Sequence, residues 1–267
     1  MKTYGNPDGP RIRSSPWLEQ SDSFWSRDLG IVRTQLAEVE QTSRVPHAVI
    51  ISGLRRAGKS TLLLQLAHRL GREQFYYLNF EDDRFLGFRA EDANDLYQAL
   101  LEVFGERKIF IIDEIQNIDG WEHFVRRFMD MGFKFYITES NASLLSRELG
   151  TRLTGRYVPI ELFPFSFKEF MLFRGESSPD LDRMTTVDHA RLQNSLQSYL
   201  QFGGIPDALK YPELPLLSTL YDDVLYRDIA TRYRLEAVTA IKELGFFLMS
   251  IPANLVSFNL SCHFIEN

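Results

Sequence analysis

The segment Gly53-Leu54-Arg55-Arg56-Ala57-Gly58-Lys59-Ser60-Thr61 satisfies the pattern G-x-x-x-x-G-K-[ST] in full. Glycines at those two positions let the backbone curl so that successive N–H groups converge on phosphate oxygens. A helix starting near Lys59 adds the positive end of its dipole. Lys59 is then the residue that reaches the β- and γ-phosphates, and the Ser60 hydroxyl the one that coordinates Mg²⁺. The whole run Gly53–Thr61 is expected to hold a nucleotide triphosphate. Arg55 and Arg56 either touch phosphate or point away from it, and the spacing does not choose between the two.

A second acidic element follows. Lys108-Ile-Phe-Ile-Ile-Asp113-Glu114 is an apolar run ending in two carboxylates. In an open α/β sheet such a pair lies at the carboxyl edge of the strands, where ligands bind. Asp113 is expected to hold Mg²⁺ through water, and Glu114 to orient and polarise the attacking water. In Phe135-Tyr-Ile-Thr138-Glu139-Ser140-Asn141, Ser140 and Asn141 either face the γ-phosphate or lytic water, or Asn141 caps the next short helix. Arg156, in Leu153-Thr-Gly-Arg, either stabilises charge at the γ-phosphate, in cis or towards a neighbouring subunit, or makes a surface ion pair. Its spacing alone favours the ion pair. The acidic run Glu81-Asp82-Asp83 reads as a solvated turn that also leaves a strand end and so lies within reach of the metal. The five histidines and Cys262 show no metal-ligand spacing.

These groups need a sheet to position them. Apolar strands are expected at His47–Ser52, Phe75–Phe80, Ile109–Asp113, Phe133–Thr138 and Tyr157–Leu162. Helices are expected at Lys59–Leu70, Ala93–Phe104, Trp121–Met131 and near Ser143–Leu149. Continuously apolar strands alternating with helices imply a parallel sheet covered on both faces. Ahead of it, residues 1–16 read as an irregular lead-in. A helical pattern runs from Trp17 to about Glu40 on Leu29, Val32, Leu36 and Val39. After Pro164 the pattern turns helical, at Phe167–Phe173, Asp188–Phe202, Leu214–Tyr233 and Ala237–Ser250. Ser166 and Glu169 form a capping-box pattern ahead of the first of these. The expected divisions are 1–45, a nucleotide-binding core at 46–165, and a helical region at 166–267.

A formal charge of −6 and a pI near 5.5 weaken any reading in which bulk electrostatics hold the chain on nucleic acid. One cysteine precludes an intrachain disulfide. With neither a signal-peptide pattern nor a membrane-length apolar run, the chain reads as cytoplasmic. The abundant Phe and Tyr fall at strand or helix spacing and read as core rather than as a stacking surface for single strands.

With these motifs in view, the chain resembles a family of AAA+-related P-loop ATPases of archaea and bacteria that carry a C-terminal domain of unknown function. The resemblance spans about Arg27 to Asn259. It rests on Gly53–Thr61, Ile111-Ile-Asp-Glu-Ile-Gln, Leu153-Thr-Gly-Arg, Glu161-Leu-Phe-Pro-Phe-Ser-Phe-Lys-Glu-Phe, Gly203-Gly-Ile-Pro and Leu225-Tyr-Arg-Asp-Ile. It implies a P-loop NTPase fold, α/β with a five-stranded parallel sheet flanked by helices. It also implies an extra strand between the phosphate-loop strand and the Asp-Glu strand, and a mainly helical C-terminal region, often winged-helix-like. It favours Arg156 as a γ-phosphate-facing arginine and Ser140/Asn141 as a sensor. Two departures stand out. Thr138-Glu139-Ser140 replaces the family's Thr-Gly-Ser. If that position takes a positive φ, Glu139 is strained by about 1 kcal/mol; its carboxylate is also expected to slow turnover. And the chain stops at Asn267, where members of the family continue for well over a hundred residues, so the resemblance reads it as C-terminally shortened with an incomplete winged helix.

The leading expectation is Mg²⁺-dependent ATP hydrolysis coupled to a conformational change. The alternatives are a nucleotide-dependent switch with little turnover and a DNA-associated motor, the latter disfavoured by charge. ATP and ADP are the expected ligands. Self-association and a protein partner stay open, and no membrane is involved.

Overall fold

Each apolar run pairs with another because a strand buried on both faces has no water to satisfy its N–H and C=O groups. The computed structural model describes residues 15–140, 153, 155–177, 183–231, 235 and 238–251. Its strands are β1 (Ala48–Ser52), β2 (Phe75–Asn79), β3 (Ile109–Asp113), β4 (Lys134–Glu139) and β5 (Tyr157–Glu161). They form one parallel sheet in the order β2-β3-β4-β1-β5. The extra strand between the phosphate-loop strand and the Asp-Glu strand is therefore β4.

Strand residues alternate between two cores, as the period of two dictates. Ala48, Ile50, Tyr76, Leu78, Phe110, Ile112, Phe135 and Ile137 face one. There they meet Leu96 and Leu100 of α4 (Ala93–Phe104) and Phe124, Val125 and Phe128 of α5 (Trp121–Asp130). Val49, Ile51, Phe75, Tyr77, Ile111, Tyr136 and Ile160 face the other. That face is covered by α2 (Leu36–Gln41) and α3 (Lys59–Leu70) through Leu36, Val39, Leu62, Leu63 and Leu66.

The N-terminal pattern does not form one helix. It divides into α1 (Ser15–Trp25) and α2, with an irregular segment between them that passes through Gly30 at φ 57°. Leu29 and Val32, which promised a helix face, are 36% and 61% exposed. Helix α1 closes the edge of β2 instead. Trp17 enters one core and Phe24 the other. Between them, the Gln20 side-chain amide donates to Asn79 O and accepts from Asn79 N, both at 3.1 Å. An exposed strand edge is a template for unwanted pairing, and this amide occupies part of it.

Beyond the sheet come α6 (Phe167–Phe173), α7 (Thr186–Phe202) and the short α8 (Pro206–Lys210). The expected Ser166/Glu169 capping box is present at the start of α6. A second box, Thr185 with Asp188, starts α7 two residues ahead of the expected Asp188. The chain divides into two compact units, Met1–Leu209 and Lys210–Asn267. The sheet, the N-terminal helices and α6–α7 thus share one unit. In the second unit the expected helix Leu214–Tyr233 resolves into α9 (Leu216–Asp223) and a π-helical run, Val224–Thr231. Lys242 of α10 (Val238–Ser250) pairs with Asp222 at 3.0 Å. The expected short helix near 143–149 and the winged-helix-like end beyond residue 251 lie outside the described residues.

Candidate nucleotide site

The phosphate loop leaves the carboxyl end of β1 and turns on three residues with positive φ: Gly53 (151°), Arg56 (62°) and Gly58 (94°). Gly53 is required twice over, by that φ and because a Cβ would overlap the Leu162 carbonyl oxygen. Leu162 N donates to Ser52 O at 2.7 Å, which draws the end of β5 against the loop. The Lys59 ammonium is 4% exposed and donates to Gly53 O and Leu54 O, both at 3.0 Å. It is thereby folded across the loop's own carbonyls. Ser60 and Thr61 open α3 beneath it.

The acidic pair lies on the same sheet edge. Asp113 is 2% exposed and burial raises its pKa, against hydrogen bonds from Thr138 and Ser60 that favour the carboxylate. Thr138 Oγ1 donates to Asp113 Oδ1 and accepts from Glu114 N at 3.0 Å. One buried hydroxyl therefore joins both acidic residues. Tyr77, whose hydroxyl lies 3.5 Å from Asp113 Oδ2, is held neutral by burial and by the Asp113 charge. Glu114 takes the left-handed conformation at φ 55°, uncommon for a residue with a Cβ and a mark of functional positions. Its carboxylate accepts from Ser140 Oγ at 2.6 and 2.8 Å and from Gln116 Nε2.

These placements bring Gly53–Thr61, Asp113, Glu114 and Ser140 together. Hard oxygen donors suit Mg²⁺, which is usually held by one or two carboxylates with substrate phosphates and water completing the shell. The Ser60–Asp113 pair fits that description. No cluster of three or more His, Cys, Asp or Glu able to hold a metal occurs among the described residues.

Other expected residues fall elsewhere. Arg156 immediately precedes β5, and its carbonyl accepts from Ala48 N at the start of β1. It thus stands at the amino edge of the sheet, about 17 Å of strand from the phosphate loop at the usual rise per residue. Its exposed side chain pairs with Asp130, so a role in cis at the γ-phosphate is incompatible with this placement. Arg56 turns towards Asp207, 3.8 Å away. Asp82 binds Arg84 at 2.6 Å and Gln20 at 2.7 Å, which anchors α1. The Arg84 bond holds its carboxyl far below the usual range. Asn141 lies outside the described residues. Glu139 is fully buried in regular pairing with Ser52. Its φ is not positive, so the expected strain is absent.

Arg33 is a site neighbour that motif and periodicity do not single out. Lodged between α1 and α2 and 2% exposed, it donates from Nη1 to Ala57 O (2.6 Å), from Nη2 to Phe163 O (2.7 Å) and from Nε to Glu169 Oε1 (3.0 Å). Its own N–H donates to Gln65 Oε1 of α3 at 3.0 Å. A lone arginine in an apparently helical, surface-facing run carries no sequence signal for such a position. Thr138, at the inner end of an apolar strand beside the acidic pair, did carry one.

Residues 45–171 match the family model described as AAA domain. An uncharacterised protein of Methanocaldococcus jannaschii is 34% identical over 218 residues, covering 80% of this chain and 49% of its own length. Another, from Haemophilus influenzae, is 36% identical over 220 residues, covering 78% and 52%. The chain thus spans about half the length of these curated relatives. The Walker-type ATPase paby2304 of Pyrococcus abyssi overlays 87% of each chain at 13% identity and a TM-score of 0.49, a loose likeness. The matched segment, with its phosphate loop and acidic pair on one sheet edge, is an AAA-type P-loop ATPase domain.

Proposed function

We propose that this protein binds Mg²⁺–ATP on Gly53–Thr61 and hydrolyses it with Glu114, coupling turnover to a conformational change. The observation that carries the reading is the position of the phosphate loop, which leaves β1, and of Asp113 and Glu114, which end β3, at the carboxyl edge of one parallel sheet. Ser60, in the first turn of α3, and Asp113 are the oxygen donors that this edge offers a metal. Loop N–H groups and Lys59 would hold the triphosphate, Ser60 and Asp113 the metal, and Glu114 the attacking water. A bound Mg²⁺ supplies charge neutralisation at the phosphates. Catalysis of this kind is chiefly positioning and electrostatic stabilisation.

A second reading, a nucleotide-dependent switch with little turnover, draws on one feature: Ser140 and Gln116 both engage the Glu114 carboxylate. A base occupied in this way must be released before it can orient water. Steady-state phosphate release with Mg²⁺–ATP separates the two. Turnover lost in both Lys59→Ala and Glu114→Gln supports the enzyme. Tight ATP binding with negligible wild-type turnover supports the switch, and absence of ATP binding rejects both.

A further inference from the structure

The phosphate loop is gripped from outside as well as shaped from within. The Ala57–Gly58 peptide is planar and trans, so its carbonyl and its N–H point in opposite directions. Arg33 Nη1 holds that carbonyl at 2.6 Å. The Gly58 N–H must therefore point away from Arg33, to the opposite side of the peptide. Close approach is possible because residue 58 is glycine: a Cβ there would stand 3.1 Å from Arg33 Nη1, on a backbone at φ 94°.

The same guanidinium is tied to the chain beyond β5. It donates to Phe163 O, stacks over the Phe165 ring at 5.0 Å, and meets Glu169, itself 1% exposed. Glu169 Oε1 also accepts from Thr34 N at 2.9 Å and Thr34 Oγ1 at 3.2 Å. Its Oε2 accepts from Ser166 N at 2.9 Å and Ser166 Oγ at 3.1 Å, closing the capping box of α6. One carboxylate thus neutralises the arginine behind the loop and caps a helix outside the sheet. The Gly203-Gly204 turn joins the same assembly. Phe165 N donates to Gly204 O at 2.7 Å, and a Cβ on Gly204 would overlap the Phe165 carbonyl oxygen. Of two sequence motifs that the catalytic reading leaves unexplained, Glu161–Phe170 therefore meets Arg33 directly, and Gly203-Gly-Ile-Pro joins it through Phe165.

We propose that Arg33 is a positioning residue that orients the Ala57–Gly58 peptide towards the bound phosphates, and that the Arg33–Glu169 pair transmits occupancy of the phosphate loop to the first turn of α6. The proposal rests on the nucleotide-binding reading above. A buried guanidinium with three fixed acceptors has little freedom to follow a moving loop, so a displacement of Ala57 must be passed to Phe163 and Glu169.

The test uses the full chain with fluorescent ATP and Mg²⁺, comparing wild type, Arg33→Met and Arg33→Lys well below their melting temperatures. Arg33→Met is expected to weaken ATP binding at least tenfold, and Arg33→Lys, which retains charge and one donor towards Ala57, only several-fold. A role confined to holding the fold would lower the nucleotide-free melting temperature and leave affinity unchanged, and that result overturns the proposal. Amide exchange of wild type supplies the second readout: ATP must slow exchange across residues 163–173. Unaltered exchange in a chain that binds ATP overturns the transmission step even if Arg33→Met fails to fold. A wild type that binds no ATP removes the nucleotide reading itself, and this inference with it.

Discussion

Thr138→Val removes one oxygen and almost no volume, which makes it a sharp probe of the acidic edge. Thr138 is fully buried, donates to the Asp113 carboxylate and accepts from Glu114 N at 3.0 Å. Valine keeps the packing and deletes both bonds. A hydrogen bond to a charged group contributes about 1.5–3 kcal/mol, and a buried N–H left unpaired costs about 1–3 kcal/mol. With partial relaxation the substitution is expected to cost about 3 kcal/mol, which for a unit of this size lowers the melting temperature by about 6–12 °C. Function should suffer beyond stability. Asp113 loses a donor that favours its charged form, and Glu114 loses the bond fixing its left-handed backbone, so turnover at saturating Mg²⁺–ATP is expected to fall at least tenfold. Thr138→Ser, which retains the hydroxyl, should stay near wild type. The assays are a calorimetric melt and phosphate release at 25 °C. A Val variant that melts within about 2 °C of wild type and turns over equally would refute the reasoning that this hydroxyl organises both acids.

Glu169 gives a pH signature. Burial acts to raise its pKa, but the Thr34 and Ser166 N–H donors and Arg33 outweigh burial, so the folded value lies below the ordinary 4.5. Its contribution is complete above that value and is lost as pH falls through the folded pKa. Glu169→Gln, which leaves Arg33 buried without its counter-charge, should cost about 3–5 kcal/mol at pH 7 in urea titrations. The gap should hold to pH 5 and narrow below 4.5; a gap that widened in acid would be inconsistent with this. Arg156→Ala breaks only an exposed pair with Asp130, so stability should change by less than about 1 kcal/mol. Turnover in dilute protein should be unaffected, whereas a loss there would restore a role in cis. Glu139→Gln and Glu139→Gly both remove a buried carboxylate beside β1, and both are expected to raise phosphate release. Unchanged rates in the pair dispose of the idea that Glu139 slows turnover.

The parallel sheet and the phosphate loop were legible because each leaves a local mark. Runs such as Ala48–Ser52 are buried along their whole length, and only glycine suits positions like Gly53 and Gly58. Arg33 left no such mark. Its neighbours Leu29 and Val32 copy a helical period by coincidence, while Gly30 at φ 57° breaks the helix and frees residue 33 to turn inwards. The partners that define Arg33, Ala57, Phe163 and Glu169, lie 24, 130 and 136 residues away, beyond any periodic signal. The location of Arg156 could have been reasoned out. A residue immediately before a parallel strand lies at the amino edge, opposite the carboxyl edge where ligands gather. The π-helical run at Val224–Thr231 had no counterpart in apolar spacing, which reports a helix without distinguishing its pitch.

If this sheet edge cleaves a bound triphosphate with Glu114, a single turnover must depend on that carboxylate. A single-turnover experiment addresses it most directly: excess protein is mixed with γ-labelled ATP and Mg²⁺, and bound nucleotide is followed in wild type and Glu114→Gln. Both are expected to bind ATP with comparable affinity, wild type to convert it to ADP and phosphate, and the Gln variant to retain it intact. Conversion at the same rate in both proteins would mean that the attacking water is oriented by some group other than Glu114.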